Sequence, residues 1–103
     1  MPNCTCSVQG TLLQINEAAC GAPCEGCSFT HDILCNVSGG RCTFSGSVYR
    51  TGCTNYADKT WNVDTSMACG SVDHKITYYC DEDEFCARYE VTLKCVESAP
   101  PGD

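Results

Sequence analysis

A chain of 103 residues is one domain's worth of polypeptide, and its net charge of −7 comes with only six Lys and Arg, scattered from Arg41 to Lys94. Nucleic-acid binding takes a basic stripe that can displace counterions from phosphates, so composition excludes that class; the acidic balance argues likewise against anionic membranes. Twelve cysteines in this length exceed the ~8–10 % that marks a disulfide scaffold, while Leu, Ile, Val and Phe together number only 17, a range in which acidic chains tend to stay unfolded.

Crosslinks resolve that tension. Disulfides typically contribute ~2–4 kcal/mol each, short of additive in one small domain, and about six would offset a deficit that the aliphatic side chains cannot. They persist in oxidising compartments, so a secreted, extracellular protein is expected. Met1 is followed by Pro2 and Asn3, with neither a basic nor an apolar leader segment, as expected of a mature form carrying an added initiator Met. The longest apolar run is far below the ~20 residues that span a bilayer, so no membrane insertion is expected.

In chain order, Thr11–Ile15 reads as a first strand. Asn16 can cap one helical turn over Glu17–Cys20, which Gly21 ends; Pro23 and two glycines make Gly21–Gly26 an irregular crosslinked loop. Ile33–Val37 and Cys42–Tyr49 are predicted strands, the second with Cys42, Phe44, Gly46 and Val48 on one face, joined by the hairpin turn Ser38-Gly39-Gly40. A shorter strand is expected at Trp61–Asp64. His74–Cys80 and Phe85–Val96 alternate with period two about the turn-like Asp81-Glu82-Asp83-Glu84, which predicts a closing hairpin. These elements predict a mostly β fold: a small disulfide-rich antiparallel sandwich or barrel-like domain with at most one short helix. One domain over residues 1–96 and a flexible tail over 97–103 complete the expected organisation.

The cysteines are Cys4, Cys6, Cys20, Cys24, Cys27, Cys35, Cys42, Cys53, Cys69, Cys80, Cys86 and Cys95. Their pairing is open, because twelve allow roughly ten thousand connectivities. Cys24-Glu25-Gly26-Cys27 has the spacing of a zinc knuckle, which Cys20 and His31 would complete. A second knuckle is missing, so disulfides are expected and no metal or other cofactor. As a redox pair the same motif is disfavoured by Glu25 between its sulfurs, since a reactive thiolate needs a cation or helix N-terminus.

His31-Asp32 and Asp73-His74 invite an acid–base reading. Neighbours in a strand face opposite ways, and no nucleophile elbow accompanies them, so no catalytic residues and no enzyme are expected. Asp81–Glu84 lacks the alternating carboxylates of a calcium loop and reads as a solvated turn. Asn36-Val37-Ser38 and Asn3-Cys4-Thr5 are glycosylation sequons, with Asn36, beside a glycine turn, the better placed. Tyr79, Trp61 and Tyr49 are the candidate binding surface: aromatics offer contact area at low entropic cost, and parity turns Tyr79 outward.

Length, an even and high cysteine count, acidity, strand content and two sequons together give a chain that resembles the small secreted cysteine-rich proteins of fungi, many of them effectors in virulence. That resemblance implies a non-enzymatic, effector- or toxin-like glycoprotein, a monomer that binds a host protein or a cell-wall component. Cys4-Thr5-Cys6 also resembles the N-terminal Cys-x-Cys of metalloproteinase inhibitors of the netrin-like fold, though the remaining spacing differs. Two other functions stay open. A protease inhibitor would use Gly21–Gly26 or Ser47–Gly52 as a braced loop, and a carbohydrate-binding module would need Trp61 and outward tyrosines on one face. A small secreted hydrolase or ribonuclease is the enzyme alternative.

Overall fold

The computed structural model describes residues 4–14, 28–53, 57–79 and 87–97. Six strands fill most of them: β1 (Cys4–Gln14), β2 (Ser28–Ser38), β3 (Arg41–Thr51), β4 (Lys59–Ala68), β5 (Ser71–Tyr79) and β6 (Ala87–Glu97). They form two antiparallel three-stranded sheets, β1-β6-β5 and β2-β3-β4, stacked as a sandwich. Among the described residues there is no helix. The helical turn expected at Asn16–Cys20 and the turn at Asp81–Glu84 lie outside those residues, as do Cys80, Phe85, Cys86 and Ser98–Asp103.

Alternation sets which side chains face inward. On β3, Cys42, Phe44 and Val48 are fully buried, and on β6 Val91, Leu93 and Cys95 are equally so, so the core lies between the two central strands. The register places Val8 opposite Leu93 and Cys6 opposite Cys95 in one sheet, and Cys35 opposite Phe44 and Val63 opposite Gly46 in the other. β1 begins at Cys4, seven residues before the predicted strand. Its first inward positions are Cys4, Cys6, Val8 and Gly10, which carry too little apolar weight to reveal the period by hydropathy.

Among the described residues, three disulfides cross or close the gap. Cys6–Cys35 joins the edge strands β1 and β2, Cys42–Cys95 joins the central strands β3 and β6, and Cys4–Cys69 ties the start of β1 to the β4–β5 turn. They span 29, 53 and 65 residues, separations at which restricting the unfolded chain gives ~3–5 kcal/mol for one bond and less for each of several nested ones. Cys53, just beyond β3, is also disulfide-bonded.

Both short turns among the described residues lie at this end. Gly39 and Gly40 both have positive φ, 60° and 74°, the left-handed pair that a two-residue hairpin needs. Cys69-Gly70 steps from one sheet to the other: the Cys69 N–H donates to the Gly40 carbonyl (2.8 Å) and the Gly70 N–H to the Cys95 carbonyl (3.0 Å). Gly46 is needed for a different reason, because a Cβ there would run into the Asp32 carbonyl and lie 2.6 Å from the Ile33 Cα.

The two glycine requirements separate experimentally. Gly46→Ala, blocked by backbone, is expected to lose ~2–3 kcal/mol in urea unfolding. Gly39→Ala meets no atom within 4 Å and carries only the left-handed penalty, ~1–2 kcal/mol. Equal losses would show that space at Gly46 is not the constraint.

Candidate functional site

At the opposite end the interior changes character from sulfur to aromatic rings. Tyr78 packs on Trp61 (ring centroids 5.0 Å), Trp61 on Phe29 (6.3 Å), Phe29 on Tyr89 (5.1 Å) and Tyr89 on His31 (6.2 Å). The five rings come in turn from β5, β4, β2, β6 and β2, two from one sheet and three from the other, and so bind the two sheets together. Ring pairs of this kind contribute ~0.5–1.5 kcal/mol each beyond the area they bury. Tyr89 and His31 are also hydrogen-bonded, phenol oxygen to Nδ1, at 2.8 Å. Gly10 makes room for that contact: any Cβ there would overlap the Tyr89 hydroxyl and lie 3.0 Å from His31 Nδ1. A lone glycine in an alternating strand is the sequence signal for such an approach.

Two cations flank the stack. The Arg50 guanidinium lies 5.9 Å and Lys59 Nζ 5.1 Å from the Trp61 ring centroid, within cation–π range. Arg50 is buried, only 8 % exposed, and its Nη2 donates to the Ala57 carbonyl at 2.8 Å. The Gly52 N–H donates to Asp58 Oδ1 (3.2 Å) across the same β3–β4 connection. The connection is thus anchored from inside the sandwich through the same guanidinium that rests on Trp61. Sequence reading passes over Arg50, because on a strand pattern it is one more polar residue.

The ends of the strands decide what this region can present. Gln14, Ser28, Thr51, Lys59, Tyr79 and Ala87 all lie here, so the connections through residues 15–27, 52–58 and 80–86 leave and return at the aromatic end. The framework of described residues carries all six Lys and Arg and six of the thirteen Asp and Glu, so it is electrically neutral. The surplus negative charge sits elsewhere: Glu17, Glu25, Asp81, Glu82, Asp83 and Glu84 in two of those connections, and Asp103.

Of the predicted surface aromatics, the fold brings none together. Trp61 faces the interior, partly buried in the ring stack. Tyr49 is half-buried on the outer face of the β2-β3-β4 sheet, opposite Thr30 and Thr60. Tyr79, half-buried, lies on the outer face of the other sheet beside Arg88. Ser47–Gly52 is not a loop, in correction of the inhibitor reading: residues 47–51 belong to the central strand β3, with β2 on one side and β4 on the other. The alternative segment Gly21–Gly26 lies outside the described residues.

The His–Asp dipeptides do not form acid–base pairs. His31 points inward to Tyr89 and Asp32 outward, while Asp73 lies 3.7 Å from Lys94 Nζ. The zinc-knuckle cysteines Cys20, Cys24 and Cys27 lie outside the described residues, as does Asn3. Sulfurs of Cys4, Cys69 and Cys95 do come within 4.8 Å of one another, but each is spent in a disulfide and has no thiolate charge to offer a cation. Asn36 is exposed on the outer face of β2.

Burial raises both the Tyr78 and the Tyr89 phenol above the usual tyrosine range, because the sandwich interior disfavours the phenolate. A group with a raised folded-state pKa gives its full stability below its unfolded value, near 10, and loses it as pH climbs through the folded value. Alkaline titration is therefore expected to show two phenolates appearing at 295 nm together with loss of near-ultraviolet dichroism above about pH 10. Ionisation of all five tyrosines with the fold intact would contradict the burial of this stack. No family model, curated protein or solved structure matches the chain.

Proposed function

We propose that this is a secreted, non-enzymatic interaction module, effector-like in kind, that binds the basic face of an extracellular protein through the connections at its aromatic end. One observation carries the reading. The strand framework is neutral, and six of the seven surplus carboxylates fall in two connections that leave the same end. Charge of one sign gathered on one end steers a partner of the opposite sign and raises its association rate.

The rest of the molecule supports display rather than chemistry. The disulfide end fixes both sheets, and the ring stack with Arg50 braces the base of the β3–β4 connection. Stiff mounting lowers the ordering cost of binding. A neutral cell-wall glycan has less to gain from the acidic end, and Trp61, which a sugar platform would need, is turned inward.

The test is association kinetics with extracellular proteins captured on the immobilised, oxidised chain. Replacing Asp81–Glu84 by Ser and Asn is expected to slow association ~10-fold or more at low salt and to flatten its dependence on ionic strength, with dissociation little changed. Binding that ignores these replacements but is lost in Tyr49→Ala or Tyr79→Ala would move the interface to a sheet face. Turnover on a panel of RNA, peptide and glycan substrates, abolished by His31→Gln or His74→Gln, would overturn the non-enzymatic reading.

A further inference from the structure

We infer that Asn36 carries an N-linked glycan that lies along the outer face of the β2-β3-β4 sheet and covers Leu34. The acceptor sequence Asn36-Val37-Ser38 is the chemical requirement: oligosaccharide transfer to the Asn amide nitrogen needs a hydroxyl residue two positions on. The fold meets the steric one. Asn36 is exposed on β2, an edge strand of its sheet, and its side chain projects from the outer face just before the Gly39-Gly40 turn. Its own carbonyl is held by the hydroxyl of the neighbouring strand's Thr43, at 3.5 Å, so the amide group itself is not needed for that link.

Leu34 is the second, independent observation. It sits two residues from Asn36 on the same outer face, about 7 Å along the strand, and 69 % of it is exposed. It is the most exposed leucine among the described residues. Around it the sheet offers Thr43 and Ser66 in register with Asn36 and Ser45 in register with Leu34, with the carboxylates of Asp64 and Asp32 beyond them on the same face. The first sugar of an N-glycan has an apolar ring face and an acetamido methyl group as well as hydroxyls. It suits a leucine bordered by serine and threonine, and it would also shield the long β2 edge from pairing with another chain.

The acceptor lies at the disulfide end, away from the connections proposed to bind a partner, so the two assignments do not compete for surface. The inference rests on the secreted reading only in that the chain must pass an oligosaccharide transferase. Expressing it behind a supplied leader in a eukaryotic secretory host removes that dependence. Intact mass before and after an N-glycan-specific amidase reads occupancy without reference to any partner.

One glycan is expected, lost in Asn36→Gln and equally in Ser38→Ala, which leaves the asparagine in place, and retained in Asn3→Gln. Protein lacking the Asn36 glycan should self-associate at several-fold lower concentration in sedimentation, and Leu34→Thr in that background should reverse the change. A folded, secreted chain unmodified at Asn36 overturns the site. Occupancy without any effect of Leu34 on self-association overturns the covering of Leu34.

Discussion

The covalent bonds between the sheets are the constraint on which the rest depends. A two-layer sandwich usually holds its sheets together by interleaving large aliphatic side chains. Here, among the described residues, the fully buried carbon side chains are Phe44, Leu93, Val48 and Val91, all on the central strands β3 and β6. Cys42–Cys95 sits among them, and Cys6–Cys35 holds the edges β1 and β2 beside the half-buried Val8 and Ile33 of the same two strands. Because crosslinks act mostly on the unfolded chain, the interior need not be tightly apolar to be stable. Positions that would otherwise demand Leu or Ile are then free to hold glycine, histidine, threonine and arginine.

That freedom is used at one end only. Near the turns Gly39-Gly40 and Cys69-Gly70, sulfur fills the space and the backbone of the two sheets is joined by hydrogen bonds. Towards the open connections the filling is a chain of rings with one hydrogen bond, Tyr89 to His31, and two cations on Trp61. Aromatic packing tolerates a polar atom at its rim, as aliphatic packing does not. A buried guanidinium can therefore reach the β3–β4 connection from inside, and two phenols sit buried beside it in the stack. The same choice leaves this end sensitive to alkali, because phenolate formation is opposed by the packing that holds the sheets.

Much of this was legible in the residues before any coordinates. Alternation at Cys42, Phe44, Gly46 and Val48 and through Val91, Leu93 and Cys95 places the core faces correctly, and the Ser38-Gly39-Gly40 turn follows from glycine chemistry. Five of the six strands run longer than their alternating hydropathy, since pairing extends a strand beyond the residues that alternate: Ser28–Asp32 and Ser66–Ala68 are strand because they lie in register with β3. The disulfide map is a three-dimensional fact with no local signal. So is the ring stack, whose members lie on four strands, and so is the inward turn of Trp61, which exposure-minded reading places on a surface.

Charge partition joins these features into one design. A neutral framework suffers no net repulsion between its sheets, so its thin core does not also have to oppose self-repulsion. Carboxylates crowded into two connections do repel one another, and at physiological salt that repulsion decays over about 8 Å. Five cysteines, Cys20, Cys24, Cys27, Cys80 and Cys86, fall in the sequence of those same two acidic connections. Keeping the surplus charge off the strands is the arrangement expected when that charge serves something outside the molecule rather than its own fold.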